Sequence, residues 1–299
     1  MDIKVLRNFL KIAEYENITR AAAELHIAQP HLTRQLHALE QELGVTLFVR
    51  EKKRLHITDE GRFLRQQAIH ITDLADKTAT QLLDMKSGLS GTLYLGAIET
   101  VGMIYLPTWI EGFKAQYPDV KYNLWSGNST DVMERLAKHL VDIALIREPY
   151  DANLYEAIHL LDEQWMVLMH PSHRLAVQAK RFVTWEELNQ EELMVPTQRI
   201  EEISGWFAER ELPCKITCAF SPLANAVAMV EHNLGIAILP ASACHALHGR
   251  NLTAIPIEDS PKSGVSVLWH RQTELTGVTK RFIEYLKAVT PAAREVQHR

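Results

Sequence analysis

Between Ile18 and Gly44 the apolar and polar positions alternate with helical spacing. Leu32, Leu36, Leu39 and Leu43 recur at intervals of four and three, the stripe of a buried helix face. Pro30 suits a first helical position, where its missing N–H costs nothing. That makes Gln29 the cap and Gly44 the left-handed terminus. Turned away from the stripe are Pro30, Arg34, His37 and Gln41, flanked by Thr33 and His31. These side chains have the hydrogen-bonding repertoire of a helix that reads a DNA major groove. Upstream, Val5, Leu6, Phe9, Leu10, Ile12 and Ala13 form a broad apolar face. Thr19 caps a short second helix whose Ala21, Ala22, Ala23 and Leu25 permit close approach. The order helix, helix, turn at His26–Ala28, helix predicts a helix-turn-helix. After Gly44, the apolar Val45, Leu47, Phe48 and Val49 lead to Arg50, Lys52, Lys53 and Arg54, then Leu55 and Ile57. This is a short hairpin, a wing, with a basic tip suited to phosphate.

A second periodicity follows. Thr58 caps a helix whose Asp59 and Glu60 favour its positive end. Leu64, Ala68, Ile71, Ala75, Thr78, Leu82 and Met85 then repeat at alternating four and three, a heptad seam that predicts a dimer helix. Two such subunits would carry two reading heads to a pseudo-palindromic site. Ser87–Gly91 is the hinge. Beyond it, strand-like runs (TLYLGA, VKYNLW, DIALIR, WMVLMH, LMVP, ITCAF, IAIL, VSVLWH) alternate with helical ones near 104–117, 131–140, 200–211, 223–232 and 276–289. The alternation predicts mostly parallel sheets with ligands beyond the carboxyl ends of strands.

Composition adds boundaries to this picture. A chain of 299 residues with 46% hydrophobic and 23% charged residues can support more than one core. Residues 1–66 carry a net +2 and the remainder −7, a mildly basic head on an acidic body. No apolar run reaches membrane-spanning length, and the amphipathic N-terminus is not a secretory signal, so a cytoplasmic location and no membrane partner are expected. Cys214, Cys218 and Cys244 are too few for a disulfide framework and read as small buried residues; a redox pair at 214 and 218 is the alternative. No metal site is expected. An enzyme would need a nucleophile elbow, a P-loop, G-x-G-x-x-G or H-E-x-x-H, none of which occurs, so no catalytic residue is assigned. A transporter's solute receptor would not carry the N-terminal head.

The stretch AAAELHIAQPHLTRQLHALEQELGVTLFVREKKRLHITDEG resembles the winged helix-turn-helix signature of LysR-type transcriptional regulators, and the segments after it match the family in order and length. Ala28 stands where the family usually has Ser, losing a capping hydroxyl; Thr33 replaces Ser but keeps one; Asp59-Glu60 precede Gly61. The resemblance implies an α/β protein in three parts. These are a winged helix-turn-helix at 1–58, a linker and dimerisation helix with hinge at 59–90, and a two-lobed α/β effector domain at 91–299 similar to periplasmic binding proteins. Lobe one would be 91–162 plus 266–299, and lobe two 163–265. Gln29 and Thr33 would face bases, Arg34 a base or phosphate, and Arg50 with Lys53 or Arg54 the minor groove or backbone; Pro30 and His31 belong to the same face.

The resemblance also places a small-molecule effector, and no cofactor, between the lobes. Candidates at its strand ends and helix starts are Thr100, Ser129, Thr130, Arg147, Thr197, Arg199 and Asn225. Two arginines in one cleft favour a carboxylate through paired hydrogen bonds, while Glu99 at the mouth argues against a multiply charged anion. For Arg147 an ion pair with Glu148 or a neighbour is the alternative; Ser129 and Thr130 could be caps and nothing more. His139 sits where the family commonly has Gly, so that turn must be reached at some cost. The implied partners are an operator duplex, the effector, a second copy of the chain in a homodimer, a homotetramer, and RNA polymerase.

Overall fold

The computed structural model describes residues 1–51, 54–84, 90–247 and 249–290. They fall into two compact units, Met1–Thr92 with Ala137–Leu140, and Leu93–Leu136 with the chain from Val141 onward.

The first unit opens with α1 (Ile3–Tyr15), α2 (Ile18–Glu24) and α3 (Gln29–Leu43). Leu6, Phe9 and Ile12 of α1 meet Leu32, Leu36 and Leu39 of α3 in one buried core. Two details differ from the sequence expectation. Asn17, rather than Thr19, caps α2, accepting the Arg20 N–H. Ala28, rather than Gln29, is the cap of α3, so Pro30 is the second helical residue. Leu43 is 37% exposed, because the core stripe ends one turn before the helix does. Gly44 takes the left-handed conformation at φ 69°. The wing is β1 (Phe48–Glu51) paired antiparallel with β2 (Arg54–Ile57), Glu51 opposite Arg54.

Next comes α4 (Asp59–Asp84). Thr58 ties its start to the wing: the hydroxyl donates to Thr46 O at 2.8 Å and accepts from Gly61 N–H at 2.9 Å. A Cβ on Gly61 would lie 2.3 Å from the Leu47 carbonyl oxygen, so glycine is required for this close approach. The predicted seam is split. Ala68 is buried and Leu64 packs against the head core, while Ile71, Thr78 and Leu82 are exposed. Exposed Phe63, Ile71, Leu74 and Leu82 fall within about 100° around the helix at 100° per residue, an apolar stripe that shares Ile71 and Leu82 with the expected one but is rotated away from Ala68. Met85 and residues 87–89 of the hinge lie outside the described residues.

The second unit holds two five-stranded sheets. Its elements run β3 (Thr92–Ile98), α5 (Glu99–Gln116), β4 (Lys121–Gly127), α6 (Ser129–Ala137), β5 (Ile143–Arg147), β6 (Tyr155–Glu163) and β7 (Trp165–Met169). Then follow α7 (Arg174–Val177), α8 (Trp185–Leu188), β8 (Leu193–Pro196), a 3₁₀ turn (Thr197–Arg199), α9 (Ile200–Ala208) and β9 (Ile216–Phe220). The last are α10 (Leu223–Glu231), β10 (Ile236–Pro240), α11 (Ala241–His245), β11 (Thr253–Pro256), β12 (Ser263–His270) and α12 (Gly277–Val289). One sheet has the order β4-β3-β5-β12-β6 and the other β11-β7-β10-β8-β9. Both are mixed rather than mostly parallel. The pairs β3–β5, β8–β10 and β8–β9 are parallel, but β12 runs antiparallel to β5 and β6, and β7 antiparallel to β10 and β11. The reversed strands arise because the chain crosses between lobes at β6–β7 and returns through β12. Strand β6 ends at Glu163 and β12 begins at Ser263, so the first sheet takes in four residues expected in lobe two, Glu163 and 263–265. Phe113 and Phe282 meet edge-to-face at 5.0 Å on the first sheet; Trp165, Trp185, Trp206 and Phe207 interlock on the second.

His139 adopts φ 57°, the left-handed turn in which glycine would be unstrained. Cys244 is buried, which pushes its thiol up to about 12; Cys214 and Cys218 are only half-buried.

The bare cap of α3 gives a direct expectation. Ala28 has cap geometry (φ −68°, ψ 131°) and no side-chain acceptor. Ala28→Ser should therefore stabilise the chain by about 1 kcal/mol, read as a raised denaturation midpoint in the transition that reports the head. An unchanged or lowered midpoint would show that the α3 N–H groups already have sufficient partners.

Candidate functional site: an exposed reading helix and an interlobe cavity

In the head, burying the leucine stripe leaves the opposite side of α3 open. Gln29, Pro30, His31, Arg34, His37 and Gln41 are exposed, and Thr33 is half-buried. Several are pre-positioned by local bonds. Gln29 Nε2 donates to Thr33 Oγ1 at 3.1 Å, and that hydroxyl donates to the Gln29 carbonyl at 3.0 Å. Gln35 links His31 on the outside to Asn8 within, at 2.9 and 2.6 Å. Glu40, which the sequence reading passed over, ties the wing to the helix: its Oε1 accepts from Leu47 N–H at 2.8 Å and Phe48 N–H at 3.3 Å, and its Oε2 faces His37 Nδ1. Arg50 is exposed on β1 and Arg54 opens β2; Lys53 lies outside the described residues.

In the second unit a cavity of about 840 Å³ opens between the sheets. Five of the seven expected residues line it: Thr100, Ser129, Thr130, Arg147 and Arg199. Thr197 and Asn225 are exposed and do not. Asn225 is two residues past the lining Leu223, about 200° around α10. Thr197 opens the 3₁₀ turn, where successive side chains diverge by about 120°, and its neighbours Pro196 and Gln198 face the cavity instead. Glu99 to Gly102, expected ahead of the helix, form the first turn of α5.

Helix starts dominate the lining. Helices α5, α10 and α11 begin after Ile98, Pro222 and Pro240, none of which offers a side-chain acceptor; the first N–H of α11 donates to the Gln164 carbonyl at 2.9 Å, while the starts of α5 and α10 have no side-chain cap. Proline at the end of β8 and of β10 was the overlooked signal, because it stops a strand and presets the next turn. Apolar surface comes from Ile98, Met103, Phe220, Leu223 and Leu239.

Arg147 is the chemical centre. It ends β5 and is 8% exposed. Its Nη2 donates to Glu163 Oε2 at 2.6 Å and to Ser242 Oγ at 2.5 Å, and the Ser242 hydroxyl donates to the same carboxylate oxygen at 2.9 Å. Glu163 ends β6 of the first sheet and Ser242 is the second residue of α11 above the second, so the triad bridges the lobes. Arg147 thus lines the cavity as expected, and the alternative ion pair is also present, buried and made with Glu163 rather than with Glu148. Glu148 accepts instead from Ser266 at 2.5 Å and faces His159 at 3.1 Å, and these bonds hold its carboxyl below the ordinary range although burial alone would raise it. Burial lowers the Arg147 guanidinium's pKa, with Glu163 opposing. Among the described residues, two buried donors on the lining have no partner, Arg147 Nε and Trp165 Nε1. Arg199 pairs with Glu202 at 2.5 Å.

Two family profiles cover nearly the whole chain. "Bacterial regulatory helix-turn-helix protein, lysR family" matches residues 3–62, and "LysR substrate binding domain" matches 86–291. The chain belongs to the LysR family. Among curated relatives, the regulator BudR of Raoultella terrigena is 28% identical over 296 residues, 95% of this chain and 99% of its own. The transcriptional activator CmpR of Synechocystis is 27% identical over 289 residues, 94% and 93%. Among solved structures, CbnR, a LysR family transcriptional regulator, shares the fold with a TM-score of 0.80 at 22% identity, covering 97% of this chain and 99% of that one. This LysR-family chain is thus a DNA-binding transcriptional regulator with an effector-binding body. None of its described helices is long and apolar enough to cross a membrane.

For this LysR-family body, Glu163→Gln should cost roughly 3 kcal/mol in equilibrium unfolding, since it strands a buried guanidinium. Ser242→Ala, which leaves the ion pair, should cost about 1 kcal/mol. Equal and small losses would mean that the pair is solvated and carries no structural weight.

Proposed function

We propose that this regulator reads its operator as a homodimer, paired further into a homotetramer, and that a small carboxylate in the interlobe cavity controls the arrangement. The single observation that carries the DNA half is the division of α3, with its leucine stripe in the core and its polar face turned outward, all exposed but the half-buried Thr33. Gln29 and Thr33 would address base edges, with Pro30 and His31 beside them. Arg34, and Arg50 with Lys53 or Arg54, would address bases or phosphates. The exposed stripe Phe63, Ile71, Leu74 and Leu82 supplies the dimer surface, since an apolar row of this kind on a monomer calls for a partner. The effector half rests on the unspent Arg147 donor and the uncapped helix starts, which favour an anion. Effector binding would shift the population of lobe arrangements, alter half-site spacing, and so change recruitment of RNA polymerase in the cytoplasm. In this role the protein performs no reaction and needs no resident cofactor.

Arg34→Ala should weaken binding to the upstream operator by roughly 1–3 kcal/mol in a gel-shift titration; unchanged affinity and footprint would remove it from the reading face. Leu74→Glu should yield a monomer in sedimentation and lose the extended footprint, whereas a persistent dimer would place the interface elsewhere. A melting screen of small organic acids should raise the transition. Stabilisation by uncharged or cationic compounds alone, unaffected by Arg147→Ala, would sink the carboxylate reading.

A further inference from the structure

The cavity is electrostatically two-sided. Its lobe-one helix starts already hold acids: Glu99 is in the first turn of α5 and Asp131 in the first turn of α6. Both line the cavity and both are exposed. Asp131 accepts one bond from Asn128 Nδ2 at 2.7 Å; Glu99 has no ion-pair or hydrogen-bond partner among the described residues. The lobe-two side is the reverse. Helix α10 starts at Pro222 with no acid in its first turn and no side-chain cap, and Arg199 lies on the same lobe. Between them sits Arg147, nine-tenths buried, with its Nε unpartnered.

The bookkeeping of charge decides what fits. Each arginine already faces one carboxylate, Glu163 or Glu202. A ligand that brings only a negative charge gains donors from Arg147 and α10 but leaves Glu99 and Asp131 uncompensated nearby. A ligand that is only cationic leaves the buried Arg147 donor and the α10 N–H groups unsatisfied. A ligand with a carboxylate at one end and an ammonium beside it satisfies both walls. Building on the reading that an anion occupies this cavity, the geometry points to a zwitterionic effector, an α-amino acid with an apolar side chain. Its carboxylate takes Arg147 and the start of α10, its ammonium takes Glu99 and Asp131, and its side chain lies against Ile98, Met103 and Leu239.

The test uses the full-length regulator and binding calorimetry after a melting screen of the common L-amino acids. Each hit is compared with the acid that lacks its amine and the amine that lacks its carboxylate. For L-leucine these are 4-methylpentanoate and 3-methylbutylamine; for L-phenylalanine, 3-phenylpropanoate and 2-phenylethylamine. At least one apolar amino acid should bind, and removing either charge should weaken it roughly tenfold or more. Glu99→Gln or Asp131→Asn, both at exposed positions, should erase most of the preference for the amino acid over its deaminated acid. Acids that bind as well as their amino acids would overturn the zwitterion while leaving the carboxylate reading standing. Failure of every amino acid and every acid would overturn both. A preference unchanged in both variants would also overturn the assignment, since nothing at those carboxylates would then be holding the ammonium.

Discussion

A guanidinium that ends a buried strand must be compensated where it stands, and in the effector body that requirement sets the geometry around it. Arg147 is nine-tenths buried, so Glu163 and Ser242 come to it from β6 and α11. Because those partners belong to different sheets, satisfying one charge also fixes where the second lobe approaches the first. The cavity is the space left beside that junction, walled by helix starts that the same junction holds in place.

The head solves a different problem with the same economy. Three short helices have too little surface to bury everything, and α3 contributes only its leucine stripe to a core shared with α1, α2, the wing and Ala68 of α4. The polar residues of α3 therefore lie outside or at the boundary, where Gln35 and Glu40 brace the exposed ones. Gln35 joins His31 to Asn8, and Glu40 holds the first residues of the wing. These bonds tie helix and wing together, which suits simultaneous contact with base edges and backbone.

Much of this was legible from periodicity. The α3 stripe, the αL position at Gly44, the wing and most strands follow from local spacing, and His139 does pay the left-handed conformation that its replacement of glycine implied. What escaped were choices made by tertiary contacts. Caps shifted by one or two residues because several neighbouring residues could serve. Strand direction in β7 and β12 depends on where the chain crosses between lobes, and no local pattern encodes that. The α4 seam was read as a single face, yet a helix flanked by its own head core on one side and an exposed apolar row on the other carries two overlapping patterns. In the cavity, a residue's presence in a loop beside a strand end was visible, but its angle around the first turn was not. That angle separates Leu223 from Asn225.

The bridging triad also limits what an effector can do. A ligand shifts an equilibrium only by its differential affinity for the competing arrangements. With the lobes already joined through Arg147, Glu163 and Ser242, inter-lobe adhesion is not something the ligand must create. Its leverage lies in the groups the junction leaves unspent, the Arg147 Nε, the uncapped helix starts and the two acids at the opposite wall. A ligand that touches one wall alone binds without distinguishing one lobe arrangement from another. One that spans both walls gains its second set of contacts only in the arrangement that brings them to the right separation, and that difference is the free energy available to the DNA-binding head.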